Sequence, residues 1–263
     1  LKYVFYYYMD TTSRAFNYYF RGKTWQDAVE DQAKLRNARL GRFLTIDEVQ
    51  KEIDLSDEGY RFVSLIEREN GEKTFLRTFY DSRKLPSEIE ISAALKRVAM
   101  KLPRVGFVSD HGARSVSGDR NRDYSYMMAE KTNRQALINQ GFDVDSITLM
   151  GDRPIPMDID VLVVADLQRP LSTDELARLE EYIAKGGNIV IGGEPGKSDL
   201  MNPLTASLGV SFLPGTLVQP TKAYDDNLLV CSFVEEGVNV VTPLRGLWQQ
   251  KYGVTMPGAA ALS

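Results

Sequence analysis

The sequence is poor in the residues from which catalytic and metal sites are most often built. Its 263 residues include one cysteine, Cys231, and one histidine, His111. A single cysteine excludes an internal disulfide and a multi-cysteine zinc site. It fits the cytoplasm and a bacterial periplasmic domain equally well, so the compartment stays open.

Membrane-spanning and nucleic-acid-binding patterns are also absent. No stretch reaches the roughly 18 consecutive apolar residues of a membrane span, and no signal peptide opens the sequence. The net charge is −4 and lysine and arginine form no run, whereas phosphate binding requires a dense basic face. We therefore expect no nucleic-acid partner. The sequence begins at Leu1 in a strand-like run, and we interpret it as a fragment of a longer protein.

The composition is that of a globular protein with a sizeable core. Hydrophobic residues make up 43% of the chain and charged residues 26%. The length suits one large or two modest domains. We predict a small α+β domain over residues 1–84, a connecting helix over 85–103 and a second domain over 104–263.

The first domain is predicted to contain a β-hairpin. A strand is predicted at 2–9, helices at 24–41 and 45–53, and a pair of strands within 60–81. The Asn70-Gly71 dipeptide inside the last segment is typical of a two-residue hairpin turn. The first domain also has many tyrosines, among them Tyr6, Tyr7 and Tyr8. They favour a half-buried sheet face, with stacking on a sugar or base as the alternative.

The second domain alternates strands with helices. Strands are predicted at 104–109, 142–150, 160–166 and 188–193, and helices at 124–141, 172–187 and 198–209. The helix at 172–187 has the clearest start, a Ser172-x-x-Glu175 capping box. The alternation predicts a doubly wound, mostly parallel sheet. The runs at 216–220 and 227–234 are predicted to add strands at one edge of it.

The loop after the first strand of this sheet holds His111. Ligands of open α/β sheets collect at the carboxyl ends of the strands. A histidine base requires a nucleophile and an orienting group, and the sequence has neither a nucleophile elbow nor a metal-ligand spacing. We therefore favour a structural or ligand-contacting loop over a catalytic histidine.

The run GGEPGKSD at 192–199 is similar to a phosphate-binding loop. That motif requires four residues between its two glycines, and Gly192 and Gly196 enclose three. Glu194 would also repel a phosphate. We interpret the run as a strand-to-helix turn, with an anion at the helix N-terminus as the alternative.

Four segments together resemble a known family, the GldG-type auxiliary components of ABC transporters, which were first associated with gliding motility. The segments are RVGFVSDHGARS, NRQALINQGFDVDSITL, the long run from IPMDIDVLVVAD to IGGEPG, and NPLTASLGV. The resemblance runs from about residue 85 to about residue 215. The family's first loop reads Gly-His-Gly-Glu, whereas this sequence has Asp110-His111-Gly112-Ala113.

The resemblance implies a flavodoxin-like fold, similar to that of glutamine-amidotransferase relatives and of the GIFT domain of intraflagellar transport proteins. It implies an inner-membrane protein whose present fragment lies on the periplasmic side, beside the transmembrane permease and ATPase subunits of an ABC transporter. The amidotransferase relatives carry a cysteine nucleophile after a central strand. Residues 166–168 offer no thiol, which favours a non-catalytic domain without a cofactor or a metal.

We therefore expect a non-enzymatic domain that binds a partner protein or a small ligand. The expected contact surface lies on three loops that follow strands, and its residues are Ser109, Asp110, His111, Gly112, Arg114, Asp166, Glu194 and Lys197. The alternative is a soluble hydrolase or sugar-processing enzyme that uses His111 as general base.

Overall fold

The computed structural model describes residues 4–117 and 122–263. The chain divides into two compact units, Leu1–Ser64 and Leu65–Ser263. The domain boundaries expected at residues 84 and 103 stay predictions. Two residues of the strand predicted at 2–9, and Gly118 to Arg120 of the loop that holds His111, lie outside the described residues.

The first unit is mainly helical. Its helices are α1 (Arg14–Tyr19), α2 (Trp25–Leu35) and α3 (Ile46–Glu52). The helix predicted at 45–53 is confirmed, with Thr45 and Glu48 forming the capping box. The helix predicted at 24–41 ends early, at Leu35, because Asn37 adopts a left-handed conformation with φ of 49°.

The aromatic run near the amino terminus is not a strand in its described part. Residues 4–9 make one parallel bridge, between Tyr6 and Leu44. The Leu44 N–H donates to the carbonyl of Phe5 at 2.8 Å, and the Tyr7 N–H donates to that of Leu44 at 3.3 Å. The strand prediction was wrong because β-propensity reports a side chain's fit to a pleated surface, which a single bridge does not provide.

The predicted hairpin is present. It consists of β1 (Val63–Glu67) and β2 (Lys73–Arg77). The Arg68 N–H donates to the carbonyl of Glu72 at 2.8 Å, so the turn enclosed by this bond has three residues, 69–71, instead of the predicted two. Gly71 ends this loop with φ of 88°, which is the usual place for glycine in a three-residue hairpin.

A four-stranded parallel sheet forms the centre of the second unit. Its strands are β3 (Arg104–Val108), β4 (Asp143–Ile147), β5 (Val161–Ala165) and β6 (Asn188–Gly192), in the order β4-β3-β5-β6. The predicted α/β class and the flavodoxin-like layout are confirmed. The strand order reverses between β3 and β5, and such switch points are where ligands of this fold class bind.

Helices flank this sheet. They are α4 (Glu88–Ala99), α5 (Ser125–Met128), α6 (Thr173–Ala184) and α7 (Ser198–Thr205). The best-signalled helix, α6, begins on the predicted capping box of Ser172 and Glu175. Tyr182 on α6 is buried, and its hydroxyl lies 3.2 Å from the carbonyl oxygens of Ile159 and Asn188.

The long helix predicted at 124–141 was wrong. The segment contains the single turn of α5, a 3-10 turn at Leu137–Asn139 and irregular turns between them. Asn133 explains the break, because its side chain accepts from the Gln135 N–H at 3.1 Å and donates to the Tyr126 carbonyl at 2.8 Å. Such local bonds compete with helix formation.

The expected extra strands do not extend the main sheet. Residues 216–220 form no strand. The run at 227–234 contains β7 (Leu228–Ser232), which pairs antiparallel with β8 (Gly253–Pro257) in a separate sheet. Helices α8 (Glu235–Val240) and α9 (Arg245–Gln249) lie between these strands in sequence. Because β8 satisfies the backbone of β7, the expectation of a wider main sheet was wrong.

A buried arginine in the irregular 129–136 segment ties it to the chain before and within α4. The Arg134 side chain is 6% exposed. It donates to Glu90 Oε2 at 2.8 Å, to Asp81 Oδ1 at 3.0 Å and to the Leu85 carbonyl at 3.1 Å. Its guanidinium carbon also lies 4.5 Å from the centre of the Phe79 ring.

Both carboxylates of this cluster are stabilised in their charged form. The Arg134 hydrogen bond holds the pKa of the Asp81 carboxyl well below its ordinary value. Burial by itself would raise the pKa of Glu90, but hydrogen bonds from Ser87 and the Arg134 charge outweigh it and lower that pKa.

We predict that Arg134→Met lowers the free energy of unfolding by about 3–5 kcal/mol at pH 7, because it leaves the Glu90 carboxylate buried and unpaired. The double variant Arg134→Met with Glu90→Gln should recover part of this loss. Urea unfolding of the parent chain, both single variants and the double variant measures the coupling.

The free energy of unfolding of the parent chain and these variants should also depend on pH in a defined way. Carboxyls with a lowered folded pKa stabilise the fold above their unfolded pKa of about 4, and this stabilisation is lost as the pH falls through the lower folded value. The difference between the parent chain and Arg134→Met should therefore shrink on acidification below about pH 4. A difference that stays constant from pH 7 to pH 3 would contradict this account.

Candidate functional site

The candidate site is the carboxyl edge of the parallel sheet, at the switch point. Three loops meet there: residues 109–117 after β3, 166–172 after β5 and 193–197 after β6. Backbone hydrogen bonds connect them. The Arg114 N–H donates to the Ala165 carbonyl at 2.9 Å, and the Asp166 N–H donates to the Gly192 carbonyl at 2.8 Å.

The Asp110 side chain points into the protein and accepts hydrogen bonds from the loop after β4. Its Oδ2 accepts from the Thr148 hydroxyl at 2.7 Å and from the N–H groups of Leu149 and Met150 at 2.6 and 2.8 Å. The side chain is 9% exposed. Its Oδ1 is buried, accepts no hydrogen bond from the described residues and lies 3.9 Å from His111 Nε2. Asp110 therefore serves as a structural acceptor.

His111 also turns inward. Its backbone is left-handed, with φ of 53°, and its side chain is 11% exposed. The Nε2 atom lies 3.1 Å from Glu175 Oε1 at the start of α6. The His111 carbonyl accepts from the N–H groups of Gln168 and Arg169 at 2.9 and 3.1 Å. The residue thus connects the loop after β3 to both the loop after β5 and helix α6.

Glu175 has two roles at once. Its Oε2 accepts from the Ser172 N–H at 2.7 Å in the capping box, while Oε1 faces His111. Burial would raise its pKa, but the hydrogen bonds from Ser172 and His111 outweigh burial and lower it. Glu175 is therefore held as a carboxylate.

Gly112 is required by the same loop. Its φ is 70°, and a Cβ placed there would lie 2.9 Å from Cβ of Gln168. A larger residue would strain the backbone and push the loop after β5 away. Ser109 is exposed, and its N–H donates to the Ile147 carbonyl at 2.9 Å, extending the pairing of β3 with β4.

A second cluster of charges joins all three loops. Arg114 donates through Nε to Asp166 and through Nη2 to Glu194 Oε1 at 2.6 Å. Arg122 donates to the Asp166 carbonyl at 3.2 Å and lies 3.9 Å from Glu194 Oε2. The Arg114 hydrogen bond lowers the pKa of the Glu194 carboxyl, and bonds to Asp166 and Glu194 raise the pKa of Arg114.

Two cationic side chains at this edge have no partner in the described ranges. Lys197 is half-buried, and its backbone N–H donates to the Glu194 carbonyl at 3.2 Å. Arg169 is exposed next to the loop that His111 holds. Arg114 and Arg122 face the carboxylates of Asp166 and Glu194, whereas Arg169 and Lys197 are the described cations of this edge that stay free to meet a ligand or partner.

The structure thus places the eight predicted surface residues on one edge of the sheet. The side chains of Asp110, His111, Arg114 and Asp166 contact other residues of this same chain. Ser109 and Gly112, in contrast, are exposed. Glu175 and Arg122 were missed as members of this site. The capping box indicated Glu175 as a helix residue, but nothing in the sequence linked it to His111.

The chemistry available at this edge is limited in the part of the chain that the structure describes. The hydrogen-bond partner of the His111 ring is a carboxylate, and a base for acyl transfer needs a hydroxyl or thiol to activate. Residues 4–117 and 122–263 contain no group of three or more histidine, cysteine, aspartate or glutamate side chains placed to hold a metal ion. The arrangement is suited to positioning loops and presenting charge.

Residues 102–228 match the family model ABC_transp_aux, described as an ABC-type uncharacterized transport system. The match indicates an auxiliary component of an ABC-type transport system, which suggests a non-enzymatic role and an association with transporter components and the membrane. The finer GldG assignment stays a prediction. Among the helices that are described, none has the length and apolar character needed to cross a bilayer.

Comparisons with individual proteins add little detail. No curated protein matches the chain. A solved structure titled "mmIFT52 N-terminal domain" is similar, with a TM-score of 0.41 and 15% sequence identity over 61% of this chain and 68% of that chain.

We predict that Asp110→Ala lowers the free energy of unfolding of the second unit by about 2–3 kcal/mol, because three donors lose their buried acceptor. Asp152→Ala is the matched control, since Asp152 is exposed in the loop after β4, and surface changes cost about 0.5 kcal/mol or less. Urea unfolding of both variants measures the difference. Equal stabilities would show that Asp110 does not hold the loop.

Proposed function

We propose that this chain is a non-enzymatic, extracytoplasmic binding domain of an ABC-type transport system. The single observation that carries the proposal is the match of residues 102–228, the part that contains the sheet and its three loops, to a transport-auxiliary family. The domain would contact the transmembrane permease, and through it the ATPase subunits, from the periplasmic side of the inner membrane.

The geometry of His111 supports binding over catalysis. The ring is almost fully buried and is paired with a carboxylate that already caps α6. A hydrolase or sugar-processing enzyme would need a substrate to reach that ring and a group for it to deprotonate. The side chains of Asp110 and His111 instead stabilise the loop that exposes Ser109 and Gly112.

The contact surface that we propose is the carboxyl edge of the sheet. Arg169 and Lys197 would provide the positive charge that is free to meet a partner. The Arg114–Glu194 pair would hold the loops in position. A partner that presents carboxylates or a small anionic ligand would complement this edge, because complementary charge increases both the association rate and the specificity.

We expect a photo-crosslinking amino acid at Arg169 or Lys197 to capture a transporter subunit when the full-length parent protein is expressed in its native membrane. The matched control is the same amino acid at Lys185, which is exposed at the opposite end of α6. Capture from Lys185 but not from the edge positions would place the partner on another surface.

The charge of the edge gives a second expectation. With the photo-crosslinking amino acid moved to the exposed Ser109, Arg169→Glu with Lys197→Glu should weaken capture about tenfold or more while the fold is retained, because like charges then face the partner. Lys185→Glu should have no effect. Turnover of ester, amide or glycoside substrates that is abolished by His111→Gln would overturn the non-enzymatic assignment.

A further inference from the structure

The first unit contains an open cavity that the proposed function does not use. Its volume is about 490 Å³, within the usual range of small-molecule sites. It lies between the amino-terminal segment, α2 and the chain around Tyr60. Seven of its fifteen described lining residues are aromatic, and none is acidic.

The aromatic lining includes ring pairs and exposed rings. Tyr8 and Tyr60 have ring centroids 4.3 Å apart, and Phe5 and Phe43 have theirs 6.0 Å apart, edge to face. Phe5 is 60% exposed and Phe62 is 61% exposed. Apolar surface of this kind, gathered around a concavity, is typical of a binding site.

Two of the four tyrosine hydroxyls in the cavity lining already bond to other residues of this chain. The Tyr6 hydroxyl lies 2.8 and 2.9 Å from the carbonyl oxygens of Tyr60 and Arg61, and the Tyr60 hydroxyl accepts from Gln50 at 2.8 Å. Ring faces therefore make up most of the aromatic part of the cavity, and the hydroxyls of Tyr7 and Tyr8 are its other polar groups. This favours an apolar body over a sugar, whose hydroxyls each require a partner.

Two further polar side chains of the lining come from α2 and the residue that caps its end. Gln32 and Arg36 are four residues apart at the end of α2, so they share a helix face. Neither side chain has a hydrogen bond or ion pair with another residue in the described ranges. Arg36 is the cavity's one described cationic lining residue, and a guanidinium is suited to bind a carboxylate in a bidentate manner.

We propose that this cavity binds an amphipathic carboxylate, whose apolar chain or ring lies against the aromatic residues and whose carboxylate pairs with Arg36 and Gln32. The site is separate from the carboxyl edge of the sheet, and either assignment can fail without the other.

The test uses the full 263-residue chain and two probes with the same tail, dodecanoate and dodecanol, below their aggregation limits. We expect saturable binding at one site, with dodecanoate tighter. Arg36→Met should weaken dodecanoate binding about tenfold and leave dodecanol binding unchanged, because it removes one charge-assisted pair. Arg39→Met is the matched control, since Arg39 is an exposed neighbour outside the lining, and should change neither.

A second variant tests the apolar part. Phe5→Ser should weaken both probes, and since Phe5 is exposed, the fold should be retained. No saturable binding of dodecanoate, or equal binding by the parent chain and Arg36→Met, would overturn the proposal. So would co-sedimentation with phosphatidylcholine vesicles that Phe5→Ser abolishes while dodecanoate does not bind, because the aromatic residues would then contact a lipid surface.

Discussion

The carboxyl edge of the sheet depends on two polar side chains that point into the protein. Asp110 accepts three hydrogen bonds from the loop after β4, and His111 faces Glu175 at the start of α6 while its carbonyl accepts from the loop after β5. Buried polar groups of this kind are costly unless they are satisfied, so they define one arrangement of the loops. The positive φ of His111 and Gly112 is tolerated because those bonds hold it.

The charged groups at this edge connect the loops to one another. Arg114 joins Asp166 and Glu194, which follow neighbouring strands. Such pairing uses most of the local charge for structure and leaves Arg169 and Lys197 to meet a partner. An edge built in this way fits a recognition role in a transport system better than a reaction centre, which would keep a nucleophile and its base free for substrate.

The sequence predicted the parallel sheet and α6 well because their signals are local. Apolar runs mark β3, β5 and β6, and the Ser172 capping box marks the start of α6. Predictions based on propensity alone were wrong where tertiary contacts were lacking or competed. Residues 4–9 have β-forming side chains but one bridging partner, and the polar segment after α5 uses Asn133 for local turns and buries Arg134 in an ion cluster.

The sequence by itself determined the α/β class, the sheet strands, the capped helices and the edge on which polar loop residues gather, because these follow from periodicity, caps and strand direction. Only the tertiary structure decided that His111 faces Glu175, which is 64 residues away, that Asp110 points inward, and that the tyrosines of the first unit line a cavity. Those outcomes depend on which side chains the folded chain brings within hydrogen-bond or van der Waals distance, and no local pattern encodes that distance.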